Sequence, residues 1–81
     1  MYQRIHETIS VIGVYKEAAF VPKKFLWNSR VYRVDEITFV TNVRDGGVQK
    51  RMYSIVSKGN AYRVVFNRDE ETWKLEEVWC D

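Results

Sequence analysis

The sequence predicts an all-β fold: a small rolled antiparallel sheet or barrel of five to six strands, SH3-like or OB-like, with residues 1–81 forming a single domain. Three observations predict it. Apolar residues recur mostly with period two and not 3.6. β-Branched and aromatic side chains fill those positions, as pleated, half-buried surfaces favour. Short polar steps at Asn28-Ser29, Asp45-Gly46 and Lys58-Gly59 break the runs at hairpin spacing.

In chain order, residues 5–15 read as the first strand, with Gly13 marking a bulge or a close backbone approach. Phe25 to Tyr32 reads as a tight hairpin turning at Asn28-Ser29, with Pro22 just before it. Residues 30–43 form one long strand whose inward parity changes at Asp35-Glu36. Tyr32 and Val34 share one parity, and Ile37, Phe39 and Val43 share the other, as a β-bulge would produce. A two-residue turn at Asp45-Gly46 pairs Val43 with Val48, Phe39 with Met52 and Ile37 with Ser54. A three-residue loop after Ser57 pairs Val56 with Tyr62 and Met52 with Phe66, and a turn at Arg68–Glu71 pairs Phe66 with Trp73 and Val64 with Leu75. These registers assemble one continuous apolar face, and agreement between separate turns is stronger than any one of them. Residues 69–79 carry a competing helical signal, with acids in the first turn and Leu75, Val78 and Trp79 at i, i+3 and i+4. A C-terminal helix is therefore the alternative to the last strand. A meander of six strands has one face to bury and two edges to hide, which favours rolling up.

Size and composition agree with a small globular domain. A chain of 81 residues buries roughly 60–65% of its unfolded surface, enough for one modest core. An apolar fraction of 46% and an aromatic fraction of 15% exclude a disordered chain. No apolar run approaches the roughly 18–20 residues needed to span a bilayer, and the N-terminus lacks the apolar core of a signal peptide. The expected setting is cytoplasmic, with no membrane partner. The lone Cys80 has no internal disulfide partner, and one thiol with one imidazole does not build a structural zinc site, so no metal or cofactor is expected.

The net charge of +2 hides a strong asymmetry. Residues 16–68 hold eleven bases and four acids, whereas residues 69–81 hold six acids and one lysine. Either the basic body contacts a polyanion, or the acidic segment folds back and neutralises it across strands.

Catalytic chemistry is thin. His6 is the only imidazole, beside Glu7; Cys80 lies among acids that disfavour its thiolate; Glu70-Glu71 and Glu76-Glu77 have no second catalytic type nearby. Gly46-Gly47 lacks the lysine and helix of a phosphate loop. The expectation is a non-enzymatic binding module. In the registers above, the sheet face opposite the core carries Thr38, Val40, Arg51, Tyr53, Ile55, Arg63, Val65 and Lys74. Interleaved cations and rings on a sheet are what single-stranded nucleic acid uses: cations follow phosphates, and rings stack on bases for roughly 1–3 kcal/mol each. Lys23, Lys24, Arg33 and Lys50 extend the basic track, and Trp27 with Arg30 forms a second small constellation around the Asn28-Ser29 turn, where the two side chains would stack as a cation–π pair. The candidate nucleic-acid-binding residues are thus Lys23, Lys24, Trp27, Arg30, Arg33, Lys50, Arg51, Tyr53 and Arg63. The competing expectation is a protein-interaction module that adds a peptide or partner to an exposed edge strand. A monomer or a weak homodimer fits either.

The spacing Pro22-x-x-Phe25-x-Trp27-x-x-Arg30-x-Tyr32-x-Val34, then Arg51-x-Tyr53, Gly59-x-x-Tyr62 and Trp73-x-Leu75-x-x-Val78-Trp79, resembles a family of small uncharacterised bacterial all-β domains sometimes encoded near error-prone DNA polymerases. The likeness covers about residues 22–81 and departs at Ser29, where the family pattern has a glycine. It implies an all-β fold and a DNA-related setting, and it assigns no catalytic residues.

Overall fold

Four two-residue turns organise the chain. At Glu17-Ala18, Asn28-Ser29, Gly46-Gly47 and Lys58-Gly59 both central residues have positive φ, the conformation whose twist matches the strands it joins. The computed structural model describes residues 1–80; Asp81, the last of the acidic residues, lies outside the described residues. Seven strands result: β1 (Tyr2–Lys16), β2 (Ala19–Trp27), β3 (Arg30–Arg33), β4 (Glu36–Asp45), β5 (Val48–Ser57), β6 (Asn60–Asn67) and β7 (Thr72–Trp79). All pair antiparallel in one sheet of order β3-β2-β1-β7-β6-β5-β4, curled into a half-barrel.

The strand count exceeds the expected five to six because the run 30–43 divides at Val34-Asp35. Its first part pairs with β2 and its second with β5, so this one segment supplies both edges of the sheet. Two residues reach no further than about 10 Å. The edges therefore meet there, fixed by Val34 N–H donating to the Lys23 carbonyl at 2.9 Å and Asp35 N–H to the Val56 carbonyl at 2.8 Å. Beyond that junction they separate. Residues 72–79 are strand, and no helix occurs among the described residues. The pull of the sheet ladder and of Leu75 and Val78, both buried in the core, outweighs the helical spacing.

Two registers differ instructively from expectation, and a third agrees with it. The β4–β5 turn falls on Gly46-Gly47 and not Asp45-Gly46, so Val43 faces Lys50 and Asp45 faces Val48. Two glycines meet the double positive-φ requirement without placing Asp45 in the left-handed region. This slip is by two residues and keeps Phe39 and Val43 on the face of Met52, but a bulge at Thr38, not the expected one at Asp35-Glu36, sets Ile37 opposite Ile55 and against the core. The β5–β6 turn is two residues long, not three, so Ile55 faces Tyr62 and Tyr53 faces Val64. That slip is by one and turns the whole of β5 over. Tyr53 and Ile55 enter the core, while Met52 and Val56 face outward. The β6–β7 pairs Phe66–Trp73 and Val64–Leu75 are as expected.

The core gathers Ile9, Phe25, Tyr53, Ile55, Tyr62, Val64, Leu75 and Val78. Burying each of the larger aliphatic side chains contributes about 1.5–3 kcal/mol. Gly13 is a true close approach: a Cβ there would lie 2.2 Å from the Val21 carbonyl oxygen, and the β1–β2 ladder shifts register beside it. Pro22 lies within β2, facing Gly13 in that irregular stretch, a position at which a proline is tolerated in a sheet.

A candidate binding cleft at one mouth of the sheet

The curl leaves two mouths. At the one carrying the 17–18, 46–47 and 68–71 turns, a cleft of about 330 Å³ is lined by Tyr15, Ala18, Ala19, Phe20, Arg51, Tyr53, Phe66, Arg68 and Trp73. Alternation along β5 sends Arg51 to the same inward side as Tyr53 and Ile55, one pair nearer the mouth. The rings form a connected cluster: Phe66–Trp73 at 4.9 Å between centroids, Tyr53–Trp73 at 5.4 Å, Phe20–Trp73 at 5.6 Å and Tyr15–Phe20 at 5.4 Å. The Arg51 guanidinium carbon lies 5.7 Å from the Tyr53 ring centroid. Its Nε is buried with no hydrogen-bond partner, and it takes part in no ion pair among the described residues. Arg68 is held at the rim, its N–H donating to the Gln49 carbonyl at 2.9 Å and its guanidinium to Gln49 Oε1 at 3.3 Å. The lining contains two cations and no carboxylate.

Tyr53 spans the interior, its hydroxyl donating to the Phe20 carbonyl at 3.5 Å. Burial raises its phenol above the ordinary 10.0, partly opposed by Arg51. It is thus a neutral donor at physiological pH.

At the other mouth a second cleft of about 350 Å³ includes Trp27, Arg30, Tyr32, Lys58, Tyr62 and Cys80. Trp27 does not stack on Arg30 there. Its ring tilts against Tyr32 at 5.7 Å and its Nε1 donates to Glu7 at 3.0 Å, so it is a packed strand end. Burial also raises the Tyr62 phenol.

The nine candidate residues consequently do not form one track. Arg51 and Tyr53 meet in the first cleft, and Trp27 and Arg30 border the second. Lys23, Lys24 and Arg33 are exposed around the β2–β3 hairpin, where Lys24 and Arg33 face each other as like charges on the outer surface. Lys50 lies 3.4 Å from Asp45 on the outer face. Arg63, also outward, bonds Glu77 at 2.8 Å and covers the Trp79 ring. Its separation from Tyr53 follows from the one-residue slip in the β5–β6 register. The acidic segment neutralises Arg63 and receives His6 through Glu76, but gives no ion pair to Lys23, Lys24, Arg30, Arg33 or Arg51 among the described residues.

Phe20, Phe66, Arg68 and Trp73 were not legible as site residues. Phe66 and Trp73 share the expected cross-strand pair, and the 3.6-independent clue, that both lie one step from the turn beside Arg68, emerges only when β1–β2 closes over them. His6 lies in a β1 irregularity with φ of 57°. Among the described residues no three His, Cys, Asp or Glu side chains are placed to hold a metal ion, and no helix is long and apolar enough to cross a membrane. Compared with protein-family models, curated proteins and solved structures, the chain finds no match, so its functional reading rests on the site.

Proposed function

We propose that the protein is a non-enzymatic binding module whose first cleft takes single-stranded nucleic acid. The observation that carries this is Arg51: a guanidinium in no ion pair among the described residues, set among five rings and facing no carboxylate in the cleft. A phosphate oxygen at the cleft-facing part of this guanidinium would make a charge-assisted hydrogen bond, worth about 1.5–3 kcal/mol. Arg68 supplies a second phosphate contact, and an unstacked base entering beside Tyr15 and Phe20 would gain roughly 1–3 kcal/mol by stacking. Little base readout is expected, because cations on phosphates position a strand without reading it. A curled sheet of the SH3-like or OB-like kind suits such a platform, and the resemblance to domains encoded near error-prone polymerases favours DNA in a bacterial cytoplasm as the ligand's setting.

The test is an amide NMR titration with a short mixed-sequence single strand at low and then moderate salt. Shifts at Arg51, Tyr53, Arg68 and Trp73 that fade as salt rises are expected, with Arg51→Gln weakening binding about tenfold or more, the loss of a charge-assisted hydrogen bond. No shift at low salt would sink the reading. A second reading, partner docking on an edge strand, is favoured by one specific feature, the free edge of β4.

A further inference from the structure

We propose that β4 pairs antiparallel with the β4 of a second copy, with Thr41 facing Thr41 across the two-fold axis and Phe39 facing the second copy's Val43. The inference is independent of the nucleic-acid reading.

β4 is a sheet edge ten residues long, paired only with β5. Ile37 to Val43 contains no charge, proline or glycine, and β-branched or aromatic residues fill most of it. Edge strands are ordinarily blunted by lysine, proline or shortness; a bulge at Thr38 is the one such device in this stretch, and from Phe39 to Val43 the strand pairs with β5 in unbroken register. Both faces of the strand are open. Phe39 and Val43, on the outer face, are 56% and 39% exposed, and Val40, on the inner face, is 38% exposed. The edge of β4 is thus accessible.

The register follows from the turn. In a two-residue hairpin the flanking pair, Asp45 and Val48, exchanges hydrogen bonds, so Val43, Thr41 and Phe39 bond to β5 by alternation. Arg44, Asn42 and Val40 then turn their main-chain N–H and C=O groups to the free edge. Two copies related by a two-fold axis pair without mismatch only when facing residue numbers sum to an even number. Of these registers, the one centred on Thr41 sets exposed Phe39 directly against Val43 twice, an aromatic–β-branched pair of the kind that stabilises sheets. Shifting the centre to Val40 sets Phe39 against Thr41, and shifting it to Asn42 sets Phe39 against Asp45. The Thr41 register makes Val40 and Asn42 exchange bonds in both directions, about four in all. Charge agrees: Glu36 of each copy meets the end of the other that carries Arg44, Asp45 and Lys50, a net positive cluster.

The test uses single cysteines in a Cys80→Ser background, without nucleic acid. Facing residues of a non-hydrogen-bonded pair lie about 4.5 Å apart at Cα, within the roughly 4.4–6.8 Å that a disulfide accepts. Mild oxidation of Thr41→Cys is expected to give a disulfide-linked dimer, whereas Phe39→Cys and Val40→Cys stay monomeric. Adding Asn42→Pro, which removes an edge-facing N–H and leaves the β5 ladder intact, is expected to abolish the link while circular dichroism still shows the sheet. Preferential linking at Val40, or no linking at Thr41 in folded protein, would overturn the proposal. So would a monomeric mass for the unmodified protein in sedimentation up to millimolar concentration.

Discussion

Ser29 adopts φ of 61° at the second position of its turn, a left-handed conformation that a β-carbon penalises. A glycine would take that conformation without the penalty. Ser29→Gly is expected to raise stability by about 0.5–1 kcal/mol, the steric relief exceeding the added freedom of the unfolded chain; chemical denaturation measures it, and an unchanged or lowered midpoint would contradict it. Glu17 and Ala18, at φ of 54° and 64°, meet the same requirement with neither glycine nor asparagine. Their turn carries no chemical signature, which is why the first half of β2 was not legible while the glycine-bearing turns were. Arg51 was legible as a cation in a β run, but the partnerless burial of its Nε was not, since that depends on rings contributed by β2, β6 and β7.

At the scale of elements, β1 and β2 depend on Gly13. A methyl group at that position would overlap the Val21 carbonyl oxygen and the Pro22 backbone, neither of which is the end of a flexible side chain. Gly13→Ala is expected to cost about 2 kcal/mol or more and to loosen the β1–β2 pairing that roofs the candidate cleft. Hydrogen exchange should then report faster opening across residues 10–26 than across β5–β6; uniform protection would refute this. The hairpins show how finely turn length governs which residues share a face. The two-residue slip at Gly46-Gly47 kept Phe39 and Val43 on the face of Met52, whereas the one-residue slip at Lys58-Gly59 moved Tyr53 from an open sheet face to the core and parted it from Arg63. Phe66 and Trp73 kept their expected pairing because both sides of that hairpin bury an apolar residue in either account.

For the molecule as a whole, the buried phenols set an alkaline limit. Tyr53 and Tyr62 are both raised above 10.0 by burial, so between that value and their folded pKa the native state holds protons that the unfolded chain has released. Their contribution to stability is complete below pH 10 and declines as pH rises through the folded values. Denaturant midpoints should therefore fall above pH 10, and the double variant Tyr53→Phe, Tyr62→Phe should flatten that decline; an equal decline in the variant would show that other groups cause it. Period two, β-branched composition and most turn positions are local properties, and the sequence by itself determined the all-β class and marked Gly13 as a bulge or close approach; its β6–β7 register stood beside a helical alternative that the sheet removed. Which face of β5 lies inside, and which cations stand beside rings, required the tertiary structure. Those depend on the sum of burial over all seven strands and on the meeting of both sheet edges at Val34-Asp35. A shift of one residue costs little within a single hairpin and everything once the sheet curls.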